Sequence, residues 1–234
     1  MKGETDFTES LESSSNINLP GLAARAFPDM LDYMIYTGEV HCTTENSTAL
    51  HYLGNYFGVK KLRWHVKKFL KQDIRASNSH IYFIHSTLFQ DEQILSAVMG
   101  ACVSDLMAID VSSQLLQVTS AGFWLNVIER APQTVGFREH LNKLISKYCR
   151  HHPDMELTTF KALSSRENLP QMHLSAALCF SQQTHFAILE DGEDSDLQSR
   201  CLECIAEKWN KINWSDIDMA ITMSKMNKLD ESAH

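Results

Sequence analysis

Thr44-Glu45-Asn46-Ser47-Thr48-Ala49-Leu50-His51-Tyr52-Leu53-Gly54-Asn55-Tyr56-Phe57-Gly58-Val59-Lys60-Lys61-Leu62 is the stretch that decides the fold. Ala49, Tyr52, Leu53, Tyr56 and Phe57 recur at i, i+3, i+4, i+7 and i+8, the spacing of a buried stripe on an α-helix. Thr44 stands where its hydroxyl can cap the first turn, and Glu45 sets a negative charge against the positive end of the helix dipole. Gly58 ends the helix, and a second one starts near Lys60. Its inner face is Leu62, Val66, Phe69 and Leu70, while Lys60, Lys61, Arg63, Lys67, Lys68 and Lys71 lie mostly outside. Two helices joined this tightly are expected to fold back as an antiparallel pair.

Upstream, residues 1–15 are rich in Ser, Glu and Thr and read as a flexible lead-in. Asn16-Ile17-Asn18-Leu19, closed by Pro20-Gly21, is the one candidate strand. A helix is expected from Phe27 to Tyr36, with Pro28 in its first turn and Met30, Leu31, Met34 and Ile35 on one face. Thr37-Gly38 stops it. Downstream, the polar residues 75–79 form a joint. Helical spacing then continues through Ser79–Leu88, Asp91–Ile109, Ser112–Leu116, Ser120–Arg130, Phe137–His151, Glu156–Leu163, Pro170–Phe180 and Gln198–Lys208, with an acidic loop at Glu190–Asp196 and a last helix at Trp214–Met226. In the longest of these, Ile94, Val98, Ala101, Cys102 and Leu106 make a periodic stripe. Five prolines and nine glycines are too few to break these runs into strands. The expectation is an all-α chain with at most one short strand. Its expected parts are a lead-in (1–15), a first helical domain (16–74), a helical bundle (78–210) and a C-terminal helix and tail (211–234).

Composition narrows the function classes. A net charge of -8 argues against a general nucleic-acid binder, which needs a surplus of Lys and Arg. No apolar run approaches the roughly 20 residues that span a bilayer, and the polar, acidic start does not read as a signal peptide. Six scattered cysteines fit reduced thiols in the cytosol or nucleus.

Phe27-Pro28-Asp29-Met30-Leu31-Asp32-Tyr33-Met34-Ile35-Tyr36-Thr37-Gly38-Glu39-Val40 resembles a helix signature of BTB/POZ domains, an aromatic-rich stretch ending in Tyr-Thr-Gly. Thr44 to Leu62 is similar to the family's next helix and turn, and Val66 to Leu70 with Asp73 to its closing helix. The resemblance covers roughly residues 7–73. From about Asn78 to Trp209 the order and spacing of helices are similar to the BACK-type regions that follow such domains. The resemblance implies a protein-interaction module, specifically an adaptor holding a substrate protein against a cullin scaffold in a RING-type ubiquitin ligase. A scaffold or transcription-linked interaction protein using the same fold is the alternative. Under the ligase resemblance, Phe7 and Glu9 of the apolar-x-Glu motif Phe7-Thr8-Glu9 contact the cullin, with Tyr52, Tyr56, Phe57 and Lys60 nearby. A stray Phe in a polar tail is the competing account of that motif. Two departures stand out. The family's leading strands and first helices, which supply most of its dimer interface, have no counterpart here, which counts against a homo-oligomer of the family type, and the Met34-Ile35-Tyr36 stretch runs one residue longer than the pattern.

Catalytic chemistry finds little support, and no enzyme activity, cofactor or metal is expected. Cys201-x-x-Cys204 lacks the second ligand pair of a zinc site and sits at helical spacing with Leu202 and Ile205, as core cysteines do. Cys149-Arg150-His151-His152 would make an activated thiol or a metal corner only if neighbouring side chains on a helix end converged, and they point different ways. The eleven histidines form no cluster. The basic helix Lys60–Arg75 could meet an acidic partner or nucleic acid, but its helical apolar spacing favours charges that solvate an outer face.

Overall fold

The computed structural model describes residues 18–132, 134–183 and 195–208, and among them every regular element is helical. The all-α expectation holds, and the described part of the candidate strand is not extended in a ladder. Asn18 and Leu19 are irregular backbone, and Asn16 and Ile17 lie outside the described residues. A lone strand has no ladder partner for its N–H and C=O groups. Pro20 instead caps a helix, its carbonyl accepting the Ala24 N–H at 2.9 Å. The chain divides into two compact units, residues 1–70 and 71–234.

In the first unit, α1 (Gly21–Asp32) begins well before Phe27, so Pro28 sits in its interior. The proline removes an N–H that would have reached the Ala24 carbonyl. Both residues are on the exposed side, where water can satisfy that carbonyl. Buried positions run Ala23, Ala26, Met30 and Tyr33, a narrow stripe whose small residues bring α1 close to α2. The expected face is therefore corrected: Met30 is buried, but Leu31, Met34 and Ile35 are exposed. A helix started at Phe27 omits the two alanines that set the inward direction.

Tyr33–Thr37 is a π turn, closed by the Gly38 N–H on the Tyr33 carbonyl at 3.0 Å and by Gly38 in the left-handed region at φ 63°. A π turn takes up one residue more than an α turn, which fits the extra residue in Met34-Ile35-Tyr36.

Helix α2 spans Ser47–Tyr56. Asn46, rather than Thr44, stands at its N-cap, and the turn before it is tied: Asn46 Oδ1 accepts the Thr43 N–H at 2.8 Å, and Thr43 Oγ1 accepts the Asn46 N–H at 3.2 Å. This reciprocal pair satisfies orphan donors as a capping box does. Ala49, Leu50 and Leu53 are buried, whereas Tyr52 is half-buried and Tyr56 exposed. The buried stripe is rotated from the expected one: α2 packs on α1, Leu50 is buried in place of the tyrosines, and a phenol hydroxyl keeps its hydration by staying at the boundary. Gly54 makes room for the Arg63 side chain of α3 (Lys60–Asp73): a Cβ there would lie 2.8 Å from Arg63 Cγ. On α3, Leu62, Val66 and Leu70 are buried, Phe69 is half-buried and the lysines face out, as the spacing predicts.

The second unit opens on a tied turn. Asn78 Oδ1 accepts the Arg75 N–H at 2.8 Å, its Nδ2 donates to the Asp73 carbonyl at 2.9 Å, and Tyr82 donates to the Asp73 carboxylate. Helix α4 (Ser79–Phe89) packs on α5 (Glu92–Ser104), which Asp91 caps by accepting the Gln93 and Ile94 N–H groups. The helix expected to reach Ile109 breaks at Asp105, whose extended φ of -128° leaves the helical region, and Leu106–Ala108 continues as a 3-10 turn. Short α6 (Leu115–Val118), α7 (Ala121–Arg130), α8 (Val135–His151) and α9 (Leu157–Ser164) follow. Then come α10 (Leu174–Phe180), where residues 170–173 stay irregular, and α11 (Ser195–Glu207). Helix α8 is the hub, contacting α6, α9 and α10. Trp124 is fully buried with its Nε1 donating to Thr119 Oγ1 at 2.8 Å. The acidic stretch up to residue 194 and Trp214–Met226 lie outside the described residues.

Arg200 of α11 is 6% exposed. It donates to the Ser164 and Leu169 carbonyls, both at 2.7 Å, and its Nε lies 2.8 Å from Asp196 Oδ2, an ion pair without an aligned hydrogen bond. Replacing Arg200 with Ala leaves two carbonyls without this donor, so chemical denaturation is expected to show a loss of about 2–3 kcal/mol. Gly54→Ala should cost about 1–2 kcal/mol, because displacing Arg63 outweighs the gain in helix propensity. An unchanged denaturation midpoint would show that the Arg63 side chain can move aside freely.

Candidate protein-interaction surface

The C-terminal end of α2 carries a connected group of rings. Tyr52 and Tyr56, one turn apart, stack with centroids 6.0 Å apart. Tyr56 meets Phe57 edge-on at 4.9 Å, and Phe57 meets Phe27 of α1 at 5.6 Å. The helix stops here because Gly58 adopts φ 69°, which lets the Val59 N–H return to the Gly54 carbonyl at 2.9 Å. That turn delivers Lys60, exposed, at the start of α3. Four of the six expected contact residues, Tyr52, Tyr56, Phe57 and Lys60, therefore fall on one local segment, three of them in ring contact. Phe7 and Glu9 lie outside the described residues. Phe27 was missed as a member because its partner is remote in sequence. Rings with polar tips at the surface suit a protein partner: they offer large contact area at little entropy cost.

In the second unit, α4, α5 and α7 enclose a groove of about 660 Å³. Phe83, Leu95, Met99 and Phe123 give it apolar walls, and Arg130 is the cation among its lining residues.

The residues considered for covalent or metal chemistry do not assemble. Cys149 is buried and its thiol pKa is raised, by burial first and then by Cys179. Its neighbours diverge: His152 donates from Nε2 to the Leu116 carbonyl at 2.9 Å and stacks near Tyr148, while His151 is exposed. Burial pushes the Cys201 thiol up to about 12, against the lowering effect of Arg200, and Cys204 points its Sγ at the Met172 carbonyl. Cys102 is likewise pushed up to about 11 by burial. A thiol with its pKa raised this far is protonated at neutral pH and is a poor nucleophile. Among the described residues no three His, Cys, Asp or Glu side chains converge as metal ligands, and no helix is long and apolar enough to cross a membrane. Thiol labelling of the native protein at pH 7.5 should modify half-buried Cys42 first, with Cys102, Cys149 and Cys201 reacting only on unfolding. Fast labelling of Cys149 in the folded chain would restore a chemical role for it.

Residues 4–74 match the family model of the BTB/POZ domain. No curated protein and no solved structure matches the chain. The matched residues include the ring cluster of the first unit and extend four residues into the second, the rest of which lies beyond them. BTB/POZ domains are protein-interaction folds, and the match supports a protein-protein interaction module.

Proposed function

We propose that the protein is a BTB-type adaptor that holds a substrate protein against the cullin scaffold of a RING-type ubiquitin ligase, acting in the cytosol or nucleus. The observation that carries this is the surface group of Tyr52, Tyr56 and Phe57 beside Lys60, set within the residues that match the BTB/POZ model. In this reading the rings supply the apolar centre of the cullin contact. Lys60 gives it a charged edge, Phe7 adds a second apolar anchor and Glu9 a carboxylate. The second unit, read as BACK-like, is a spacer that carries the substrate side.

Binding of the purified full chain to a purified cullin scaffold tests this directly. Tyr56→Ala and Glu9→Lys are each expected to weaken it about tenfold or more, the scale at which interface anchors act. Tyr56 is exposed, so the folded state should survive its loss. A wild-type chain that is folded by circular dichroism yet does not bind the cullin removes the ligase role and leaves a scaffold that gathers partners without ubiquitin transfer.

A further inference from the structure

The outer face of α3 concentrates positive charge in a way the rest of the chain does not. Six of the 21 Lys and Arg residues fall between Lys60 and Lys71 with no Asp or Glu among them, in a chain with 29 acidic residues and net charge -8. Within the first unit, Lys60, Lys61, Trp64, Lys67 and Lys68 share one helical arc, opposite buried Leu62 and Val66. Trp64 lies in the middle of that arc and is 61% exposed, with Lys68 Nζ 5.7 Å from its ring centroid. Among the described residues, none of the four lysines has an acidic partner. Helical charges that merely solvate a surface usually alternate in sign and pair at i, i+4. These lysines are unpaired and surround a large apolar ring, the side-chain type most enriched among interface anchors.

We infer that the Lys60–Lys68 face of α3 is a docking site for an acidic protein segment in which carboxylates flank one aromatic or aliphatic side chain. The carboxylates would meet the lysines while the apolar side chain covers Trp64. The face runs about 12 Å along the helix, the length of roughly four extended residues. Two phosphate-bearing alternatives fit less well. A single Trp offers no run of stacking platforms for successive bases, and the net charge of -8 opposes a long polyanion. A membrane surface would need several apolar side chains on the same arc to insert, and Trp64 is the only one.

Fluorescence anisotropy of a labelled peptide, with Asp and Glu on both sides of one Phe, measured against the full chain, tests this site apart from any cullin. At low salt the peptide should bind. The triple replacement Lys60→Glu, Lys67→Glu, Lys68→Glu should weaken binding at least about tenfold, and Trp64→Ala about fivefold, consistent with an aromatic anchor inside a charged ring. Replacing the peptide's Phe with Ser should mimic the Trp64→Ala loss. The inference is overturned if the folded chain does not bind, or if binding ignores Trp64 and the peptide's Phe. Equal or tighter binding of a single-stranded oligonucleotide or of phosphatidylserine vesicles through the same lysines would overturn it in favour of phosphate recognition.

Discussion

At the junction of α2 and α3, packing turns on the absence of a side chain at Gly54. A Cβ at that position would sit 2.8 Å from Arg63 Cγ, so the Arg63 side chain can lie where it does only against a bare backbone. The same few residues contain the stop signal: Gly58 in the left-handed region and the Val59 N–H returned to the Gly54 carbonyl. The end of α2 and the room for Arg63 are thereby set within five residues. Leu62 and Val66 bury on one side of α3. The lysines and Trp64 are left facing out, and the rings at the end of α2 remain at the surface.

A different kind of constraint governs the second unit, where buried arginines hold irregular backbone. The segment between α9 and α10 would leave carbonyls without partners inside the protein. Arg200 takes those of Ser164 and Leu169, and Arg138 of α8 takes that of Asn168 at 3.0 Å. Asn168 in turn donates to the Ala162 carbonyl at 2.6 Å. Each arginine is costly to bury alone, but guanidinium donors spread over several carbonyls match the negative end of α9 as well as its loop. Helices α8 and α11 are thus tied by polar contacts to the end of α9 and the loop that follows it.

Helical periodicity made most of this fold legible, and its failures share a cause. The stripes Leu62-Val66-Leu70 and Ile94-Val98-Cys102 could be read from the residues because each follows from spacing within one element. The inward faces of α1 and α2 could not be read in full, since what is buried there depends on how one helix sits on another. Ala23 and Ala26 score weakly as hydrophobic residues, yet they make the contact by being small. Tyr52 and Tyr56 score as part of an apolar stripe, yet their hydroxyls keep them at the edge. The π turn at Tyr33–Thr37 was not deducible from spacing, which reads the stretch as ordinary α-helix. For the candidate site, local clustering around Gly58 was visible while Phe27 was not, because ring contacts across some thirty positions leave no periodic signal.

Reading α3 from its apolar residues alone therefore undervalues it. Periodicity explains Leu62, Val66 and Leu70 completely, and a solvated outer face would explain lysines of any arrangement. It does not explain an exposed tryptophan at the centre of that face. Leaving an indole in water forfeits the burial free energy that makes Trp valuable in a core, and its edge contact with His65, centroids 5.0 Å apart, leaves most of the ring uncovered. A lysine or glutamine there would cost the helix nothing and lower the risk of aggregation. The combination of an unburied ring and unpaired cations makes sense where a partner of opposite charge and matching apolar content completes the surface. In a protein whose other recognisable surface, the ring group of α2, also consists of aromatics left at a boundary, the two features point the same way. The first unit keeps its interaction chemistry outside the core, on the faces that helix packing leaves free.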